Sequence, residues 1–372
     1  MSVILNKCNE YDIVRLEKIF EEAFAELGGI ENYISQGTKV LLKANLLMKS
    51  DPDSAVVTNP VFVAALTRVV ERAGGVVTVA DSPGGFYSEK ILKNLYTACG
   101  YNLIPEMCGA KLNYDASFKK EVYKIGDEVF PFTFITPFFE NDIVISVAKL
   151  KTHGFTTYTG AVKNLFGLVP GTYKAEYHMR FPDVNVFSDM LVRLCSAAKP
   201  TLSFIDGIVG MEGAGPSGGT PRKVGVVIAS DNPHHADMVA SKIIGLKPEQ
   251  VPTLGSAINM GICPCSTDEI EIKGNIEEFV INDYKQAIGG MGSMLNNPLL
   301  KKASNYIAPR PVFIGSKCVK CGECVRCCPA DAITIGKKKP NIDKKKCIRC
   351  FCCQELCPKK AVDIKRISFY LG

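Results

Sequence analysis

The sequence is poor in histidine, with four in 372 residues, and no apolar run approaches the ~18 residues that a membrane-spanning helix needs. The opening residues, MSVILNKCNEYD, lack the basic stretch and apolar segment of a secretory signal. With 47% hydrophobic and 22% charged residues, the composition is not that of a disordered chain. These absences predict a folded protein of two or three domains with no membrane span.

Cysteine is the residue in excess. Ten of the 16 cysteines fall between Cys318 and Cys357. Disulfide frameworks are typical of short secreted chains, whereas this chain is long and shows no secretory signal. Metal ligation is therefore the interpretation that we favour. Because it requires reduced thiols, we expect a cytoplasmic protein.

The first 300 or so residues alternate between helix and strand patterns. Helices are predicted over Asp12–Leu27, from Pro60 to Gly74, over Tyr87–Cys99, and between Pro182 and Ala198. Strands are predicted at Lys39–Lys43, Val76–Ala80, Asp142–Val147, Thr201–Ile205 and Val224–Ala229. Apolar strands separated by helices of ten or more residues are typical of βαβ units. We therefore predict an α/β body over residues 1–288, with a mostly parallel sheet covered by helices on both faces.

The end of the chain differs in charge and pattern. A connector rich in Gly, Asn, Ser and Pro is predicted at 289–310. Residues 311–372 carry 14 Lys/Arg against 5 Asp/Glu, while the preceding residues carry 30 against 33. This basic segment contains an internal repeat with an offset of 29 residues. Each half is predicted to form a strand, a cysteine loop with a helical turn, and a second strand, which makes a small α+β ferredoxin-like domain.

Both halves of the repeat read C-x2-C-x2-C-x3-C-P. Three cysteines at this spacing wrap a loop around one iron–sulfur cube, and the fourth, before proline, points away from it. In two-cluster ferredoxins that fourth cysteine ligates the other cluster. The motif therefore predicts two [4Fe–4S] clusters, one held by Cys318, Cys321, Cys324 and Cys357 and the other by Cys347, Cys350, Cys353 and Cys328.

Residues 312–366 closely resemble a bacterial-type two-cluster ferredoxin. Zinc is the alternative metal, but zinc sites explain neither the third cysteine of each set nor the proline after the fourth. Cys327 and Cys352 break the repeat, because their counterparts are Leu356 and Glu323. We interpret both as small buried residues, with a role as alternative ligands left open.

Two lysine runs, 337–339 and 344–346, flank the second motif. Part of their charge can offset the negative charge of oxidised clusters, and a solvated turn is an equal alternative. The tail has no aromatic stacking platform and no recognisable reading motif, which argues against nucleic acid as a partner.

Charged or hydrogen-bonding side chains follow each of the five predicted strands, and the carboxyl ends of parallel strands share one edge of a sheet. The richest segment is Lys149–His178, in which several lysines favour an anionic ligand. A long solvated connection is the alternative. The candidate catalytic residues are Lys151, His153, Lys163, Asn164 and His178, and the carboxylates expected nearest to the cleft are Asp81, Asp206 and Glu212.

Two further motifs are weak. Residues 213–218 match G-x-G-x-x-G, but a strand follows them where a dinucleotide site needs a helix. We interpret this loop as one that lines a ligand or that the second domain approaches. Cys263 and Cys265 could bind a soft metal, although free thiols are the simpler interpretation.

Lys149–His153, Thr159–Gly167 and the segment from Asp206 to Pro216 resemble the family catalogued as domain of unknown function 362, which is often fused to a two-cluster ferredoxin tail. The resemblance covers most of residues 35–250. It implies the two-domain organisation and a cleft around Lys151, His153, Lys163 and Asn164, and it names no substrate.

Together these features predict an iron–sulfur electron-transfer protein of ferredoxin type. We expect the body to bind a redox partner protein or an anionic small-molecule substrate, with an oxidoreductase as the preferred extension. Two alternatives stay open: a non-redox enzyme with structural or sensory clusters, and a scaffold or cluster-delivery protein.

Overall fold

The computed structural model describes residues 1–288 and 308–365, so nearly all of the predicted connector at 289–310 lies outside the described residues. The strands are β1 Ser2–Lys7, β2 Lys39–Lys43, β3 Val76–Ala80, β4 Lys111–Leu112, β5 Phe118–Ile125, β6 Glu128–Ile135, β7 Ile143–His153, β8 Thr157–Thr159, β9 Leu202–Glu212, β10 Thr220–Ser230, β11 Glu271–Lys273, β12 Arg310–Phe313, β13 Ile333–Thr334, β14 Asn341–Ile342 and β15 Val362–Lys365. The helices are α1 Ile13–Glu26, α2 Pro60–Arg72, α3 Glu89–Ala98, α4 Ile104–Met107, α5 Ala161–Asn164, α6 Gly171–Arg180, α7 Val184–Ala198, α8 Pro233–Ile243, α9 Pro252–Asn259, α10 Glu323–Arg326 and α11 Cys352–Glu355.

A central sheet organises the body, with the strand order β11-β1-β10-β9-β7-β2-β3-β4 and β8 paired to β7. The strands from β9 to β4 run parallel to their neighbours along this path, and β10 is antiparallel to both β1 and β9. Successive residues of β2 pack on opposite faces, Leu42 in one apolar core with α1 to α3 and Leu41 in another with α7. The predicted α/β class with a mostly parallel sheet covered by helices on both faces is confirmed.

Helix starts follow the local sequence closely. The Asn59 side chain accepts a hydrogen bond from the Val61 N–H at 2.9 Å, and Pro60 occupies the first turn of α2. Asp12 caps α1 in the same way, accepting from the Arg15 N–H at 2.8 Å. These side chains satisfy backbone N–H groups that the first helical turn leaves unpaired.

Three strands are longer than predicted, which corrects the expected positions of several polar residues. Lys149, Lys151 and His153 lie within β7 and not after it, because β8 and β9 continue the pairing of that strand. Asp206 likewise lies within β9. The β5–β6 hairpin was not predicted, since β5 is largely exposed and has no apolar pattern.

The C-terminal residues form a small module in which the two halves of the repeat interlock. The first strand of the first half, β12, pairs with the last strand of the second half, β15, and β13 pairs with β14. The predicted order of strand, cysteine loop, helical turn and strand is therefore present in both halves. In residues 1–288 and 308–365, no helix is both long and apolar enough to cross a bilayer.

Candidate functional site

A cavity lies where the C-terminal module meets the body, and both contribute to its wall. It contains about 1110 Å³ of space free of protein atoms, including the part open to solvent. From the body it is lined mainly by Lys43, Asn45, Asp81, Lys151, His153, Lys163, Asn164, Phe166, Lys174 and His178. From the module it is lined by Glu323, Arg326, Cys327, Cys352, Glu355 and Leu356. We call this space the seam cavity.

All five candidate catalytic residues line the seam cavity. Lys151 and His153 are two residues apart on β7 and therefore project from the same face of the sheet. Lys163 and Asn164 come from the short helix α5, and His178 comes from α6. Their catalytic roles stay predictions.

Three of the four lysines in the cavity are held by the protein itself. Lys43 forms a buried ion pair with Asp81 at 2.8 Å and donates to Asn164 Oδ1 at 3.2 Å. Lys151 donates to Asn45 Oδ1 at 2.6 Å and to the Val56 carbonyl at 2.8 Å. Lys174 donates to the carbonyl of Ser82. These contacts fix the three ammonium groups, which limits what each can offer a ligand.

Lys163 is different. No hydrogen bond or ion pair engages its ammonium group in the part of the chain that the structure describes, and Nζ lies 6.0 Å from the centre of the Phe166 ring. Burial lowers the pKa of Lys163, and the nearby Glu355 carboxylate works in the opposite direction. Lys163 is therefore the lysine of the seam cavity best placed to pair with a bound anion.

His153 presents a hydrogen-bond donor to the same space. Its Nδ1 accepts from the backbone N–H groups of Phe155 and Thr156, at 3.0 and 3.2 Å. An accepting nitrogen carries no proton, so the proton of the neutral ring lies on Nε2. Within the described residues Nε2 has no hydrogen-bond partner, and Glu355 Oε2 is 3.7 Å away. Burial, together with the positive charge of Lys163, holds the pKa of His153 well below its usual value.

His178 is packed among aromatic rings. Its ring stacks on Phe187 with centroids 4.4 Å apart and an angle of 10° between the planes. Burial lowers the pKa of His178 to about 3, so the ring is neutral at physiological pH. It therefore adds polarity to the cavity wall without adding charge.

The protonation of two lysines predicts how anion binding depends on pH. Burial lowers the pKa of Lys151 to about 7 and that of Lys174 to about 8. Because both pKa values lie well below that of a free lysine, both ammonium groups lose their protons near neutral pH as the pH rises past each pKa. Oxalate, which stays ionised over this range, is a suitable small anionic probe. We expect its affinity to fall between about pH 6 and pH 9, as measured by calorimetric titration.

Lys151→Met should remove most of that pH dependence at its lower end. Replacing the exposed Lys247 with Met serves as the control and should leave the profile unchanged. A profile that instead rises with pH would contradict the assignment of the lysines as the titrating groups.

Two carboxylates that were expected in the cleft lie elsewhere. Asp206 is buried with Lys149, whose ammonium group donates to it at 2.8 Å, and with Tyr11, whose hydroxyl donates to it at 2.9 Å. Glu212 accepts from the backbone N–H of Lys285 at 3.2 Å. Neither lines the seam cavity, whereas Asp81 does. The expectation failed for Asp206 because β9 continues past it and carries it into the sheet.

The eight cysteines of the repeated motif surround two further cavities. One is lined by Cys318, Cys321, Cys324 and Cys357, and the other by the motif cysteines Cys328, Cys347, Cys350 and Cys353 and also by Cys352. Each set takes three thiols from one half of the repeat and one from the other half. Four thiols around one space match the ligand set of a [4Fe–4S] cluster, so the residues present fit that group.

Backbone N–H groups donate hydrogen bonds to the sulfurs of Cys328 and Cys357, the two cysteines that line a cavity together with three cysteines of the other half of the repeat. Ala332 donates to Cys328 Sγ at 3.3 Å, and Ala361 donates to Cys357 Sγ at 3.2 Å, which are equivalent positions in the repeat. Hydrogen bonds to ligand sulfurs raise the reduction potential of a cluster.

The remaining cysteines do not belong to these sets of four. Cys327 and Cys352 are buried and line the seam cavity, and Cys352 also lines the second cysteine-lined cavity. Cys263 is buried and Cys265 is exposed. Among residues 1–288 and 308–365, no three side chains of His, Cys, Asp or Glu are grouped as ligands of a single metal ion would be.

The glycine loop at 213–218 contacts the module. The Ala214 carbonyl accepts from the Gln354 side-chain amide at 2.8 Å, and Ser217 Oγ donates to the Glu355 carbonyl at 2.7 Å. The body also packs closely at Gly84, where a Cβ would come within 2.5 Å of Leu356 Cδ2. These contacts hold the module against the open side of the seam cavity.

The wall that the module contributes was missed in the sequence. It contains three pairs of equivalent positions at which the two halves of the repeat differ: Glu323 and Cys352, Arg326 and Glu355, and Cys327 and Leu356. That loss of symmetry was a usable signal, because a wall facing one particular cavity has no reason to stay duplicated.

Comparisons with known proteins agree with both parts of the chain. Residues 40–242 match the family described as "Domain of unknown function (DUF362)", and residues 310–358 match the family described as "4Fe-4S dicluster domain". The "Thylakoid-associated protein sll1697" of Synechocystis sp. (strain ATCC 27184 / PCC 6803 / Kazusa) is 33% identical over 290 residues, which cover 76% of this chain and 87% of that protein. These matches identify an iron–sulfur protein.

Two solved structures are more distant. The lactate racemase apoprotein of Thermoanaerobacterium thermosaccharolyticum has 13% identity and a TM-score of 0.40, over 63% of this chain and 56% of that chain. A Thermotoga maritima protein has 14% identity and a TM-score of 0.33, over 52% of this chain and 50% of that chain. This chain thus spans about half the length of each.

Proposed function

The chain belongs to the family described as Domain of unknown function (DUF362), and we propose that it is an iron–sulfur oxidoreductase that acts on an anionic small molecule bound in the seam cavity. The observation that carries the proposal is the shared wall of that cavity. Lys151, His153 and Lys163 of the body face residues that are next to predicted cluster ligands, among them Cys327 and Cys352.

The proposal assigns two [4Fe–4S] clusters to the module, in the two sets of four thiols described above. When bound, such clusters supply or accept single electrons. The basic residues of the module support the assignment, because clusters with four thiolate ligands are anionic and positive charge nearby stabilises them. Cluster ligation requires reduced thiols, which supports a cytoplasmic location.

The body's residues would bind and orient the anion. Lys163 would form the ion pair, and the Nε2–H of His153 would donate a hydrogen bond beside it. Asn45 and Asn164 hold Lys151 and Lys43 in place. Lys151, whose pKa is about 7, can hold or release a proton at neutral pH, which is the property of a general acid or base.

Lys163→Met tests the anion site directly. A charge-assisted hydrogen bond contributes about 1.5–3 kcal/mol, so we expect the affinity for oxalate to fall by roughly 10- to 150-fold. Calorimetric titration under anaerobic conditions measures the change. Lys247→Met is the control variant, because its ammonium group is exposed and distant in sequence from every residue that lines the cavity.

The redox part needs its own measurement. We expect about eight irons per chain and visible absorption that bleaches reversibly on reduction. Oxalate should shift the electron paramagnetic resonance spectrum of the reduced wild-type protein but not that of Lys163→Met, since the ligand would sit beside the module. The proposal would be contradicted if the protein held zinc instead of iron, or if bound oxalate left the electron paramagnetic resonance spectrum unchanged. Either result would favour a non-redox enzyme.

A further inference from the structure

The two cysteine-lined cavities of the module differ in their surroundings. The second, lined by Cys347, Cys350 and Cys353, is also lined by Phe351, which packs in the same apolar core as α7 of the body. The first has Cys321 exposed and is lined by Val319 and Ile335, whose side chains are 58% and 46% exposed. The first cavity therefore faces solvent, and the second lies against the body.

Exposed lysines accompany that solvent-facing side. Lys320 and Lys359 line the first cavity, and Lys320 donates to the carbonyl of Lys337, which joins the turn at 337–339 to the same surface. Among the residues that line this cavity, Glu323 has the one carboxylate, and it is ion-paired with Arg326 at 2.7 Å. We call Val319, Lys320, Ile335, Lys337 and Lys359 the lysine face.

A small apolar centre with a cationic border is a surface that suits a negatively charged protein. Complementary charge accelerates diffusional encounter by 10- to 1000-fold, and salt screens the effect. The apolar centre lies beside the sulfur ligands, where the distance for electron transfer would be shortest. None of the residues of the lysine face lines the seam cavity, although Glu323 lines both that cavity and the first cysteine-lined one.

We propose that the lysine face is the docking surface for a small acidic electron-carrier protein. The inference rests on the proposed function. In each encounter one electron passes between the carrier and the iron–sulfur module, so that one partner is oxidised by one electron and the other is reduced by one. No covalent bond forms or breaks in this step.

The test uses the full-length protein with its clusters, and a small acidic flavodoxin reduced to its hydroquinone as the probe. Lys337→Glu/Lys359→Glu should lower the second-order rate of module reduction about tenfold at low ionic strength and have little effect in 1 M salt. The control, Lys344→Glu/Lys345→Glu, makes the same charge change at the opposite end of β12, because Lys339 contacts Phe313 whereas Lys344 contacts Arg310.

Carbodiimide cross-linking gives a second measurement that does not depend on electron transfer. It joins lysines to carboxylates in contact, and we expect mass spectrometry to find the cross-links at Lys320, Lys337 and Lys359. Cross-links or rate losses centred on 344–346 would overturn the assignment. So would binding of the wild-type chain to anionic phospholipid vesicles without any cross-link to the carrier.

Reduction by methyl viologen radical separates this inference from the proposed function. This small cation needs no docking surface and should reduce all variants at the same rate in 1 M salt, where charge on the surface is screened. If it does so while the flavodoxin shows no dependence on the lysines, the docking surface is wrong and the redox module stands. If it reduces no variant, both proposals fail.

Discussion

Replacing Cys328 and Cys347 together with alanine should remove no more iron than replacing either one alone. The two residues lie in different halves of the repeat but line the same cavity, so both would ligate one cluster. We expect about four of eight irons to be lost in each single variant and in this double variant. Iron and sulfide analysis after anaerobic reconstitution measures the outcome.

A second double variant distinguishes ligation shared between the two halves of the repeat from ligation within each half. Cys318 and Cys328 lie in the same half of the repeat but line different cavities, so Cys318→Ala/Cys328→Ala should lose nearly all the iron. Ligation within each half predicts the reverse for the two double variants. Cys327→Ala is the matched control, because it removes the thiol next to Cys328 from a residue outside both sets.

Asp206→Asn should destabilise the body by about 3–5 kcal/mol, because it leaves the buried ammonium group of Lys149 without its counter-charge. Asp206 also accepts from the backbone N–H of Asn59 at 3.1 Å, just before α2 begins. The substitution therefore weakens contacts both within the sheet and at the start of α2. Urea unfolding followed by circular dichroism under anaerobic conditions measures the change in the free energy of unfolding.

Glu26→Gln is the control for that result. It removes a surface ion pair with Lys273, whose side chain is 36% exposed, and should cost less than about 1 kcal/mol. Combining Asp206→Asn with Lys149→Met should recover part of the loss, because no buried charge is then left unpaired. Equal, small effects of Asp206→Asn and Glu26→Gln would show that the buried pair has no special role.

Much of the fold could be predicted from local pattern. The caps at Asp12 and Asn59 start α1 and α2 because the side chain and the N–H groups that it satisfies lie within three residues of each other. Strand lengths were harder to predict from the sequence. Lys149 and Lys151 are charged, so they read as residues beyond a strand, and only their pairing partners in β9 and β8 place them within β7.

The site was predicted in outline and misjudged in detail. Lys151, His153, Lys163, Asn164 and His178 do surround one cavity. The sequence could not tell which lysine is free, because the partners of the others lie far away along the chain. Lys43, for example, pairs with Asp81 and contacts Asn164, 121 residues later.

By itself, the sequence determined the chemistry of the module. Cysteine spacing is a local property, and a duplicated motif with a proline after each fourth cysteine leaves few alternatives for its ligands. Tertiary structure decided where that module sits and which side chains it meets. The seam cavity exists because Gln354 and Glu355 are held against the loop at 213–218, about 140 residues away, and no local pattern encodes a contact over that separation.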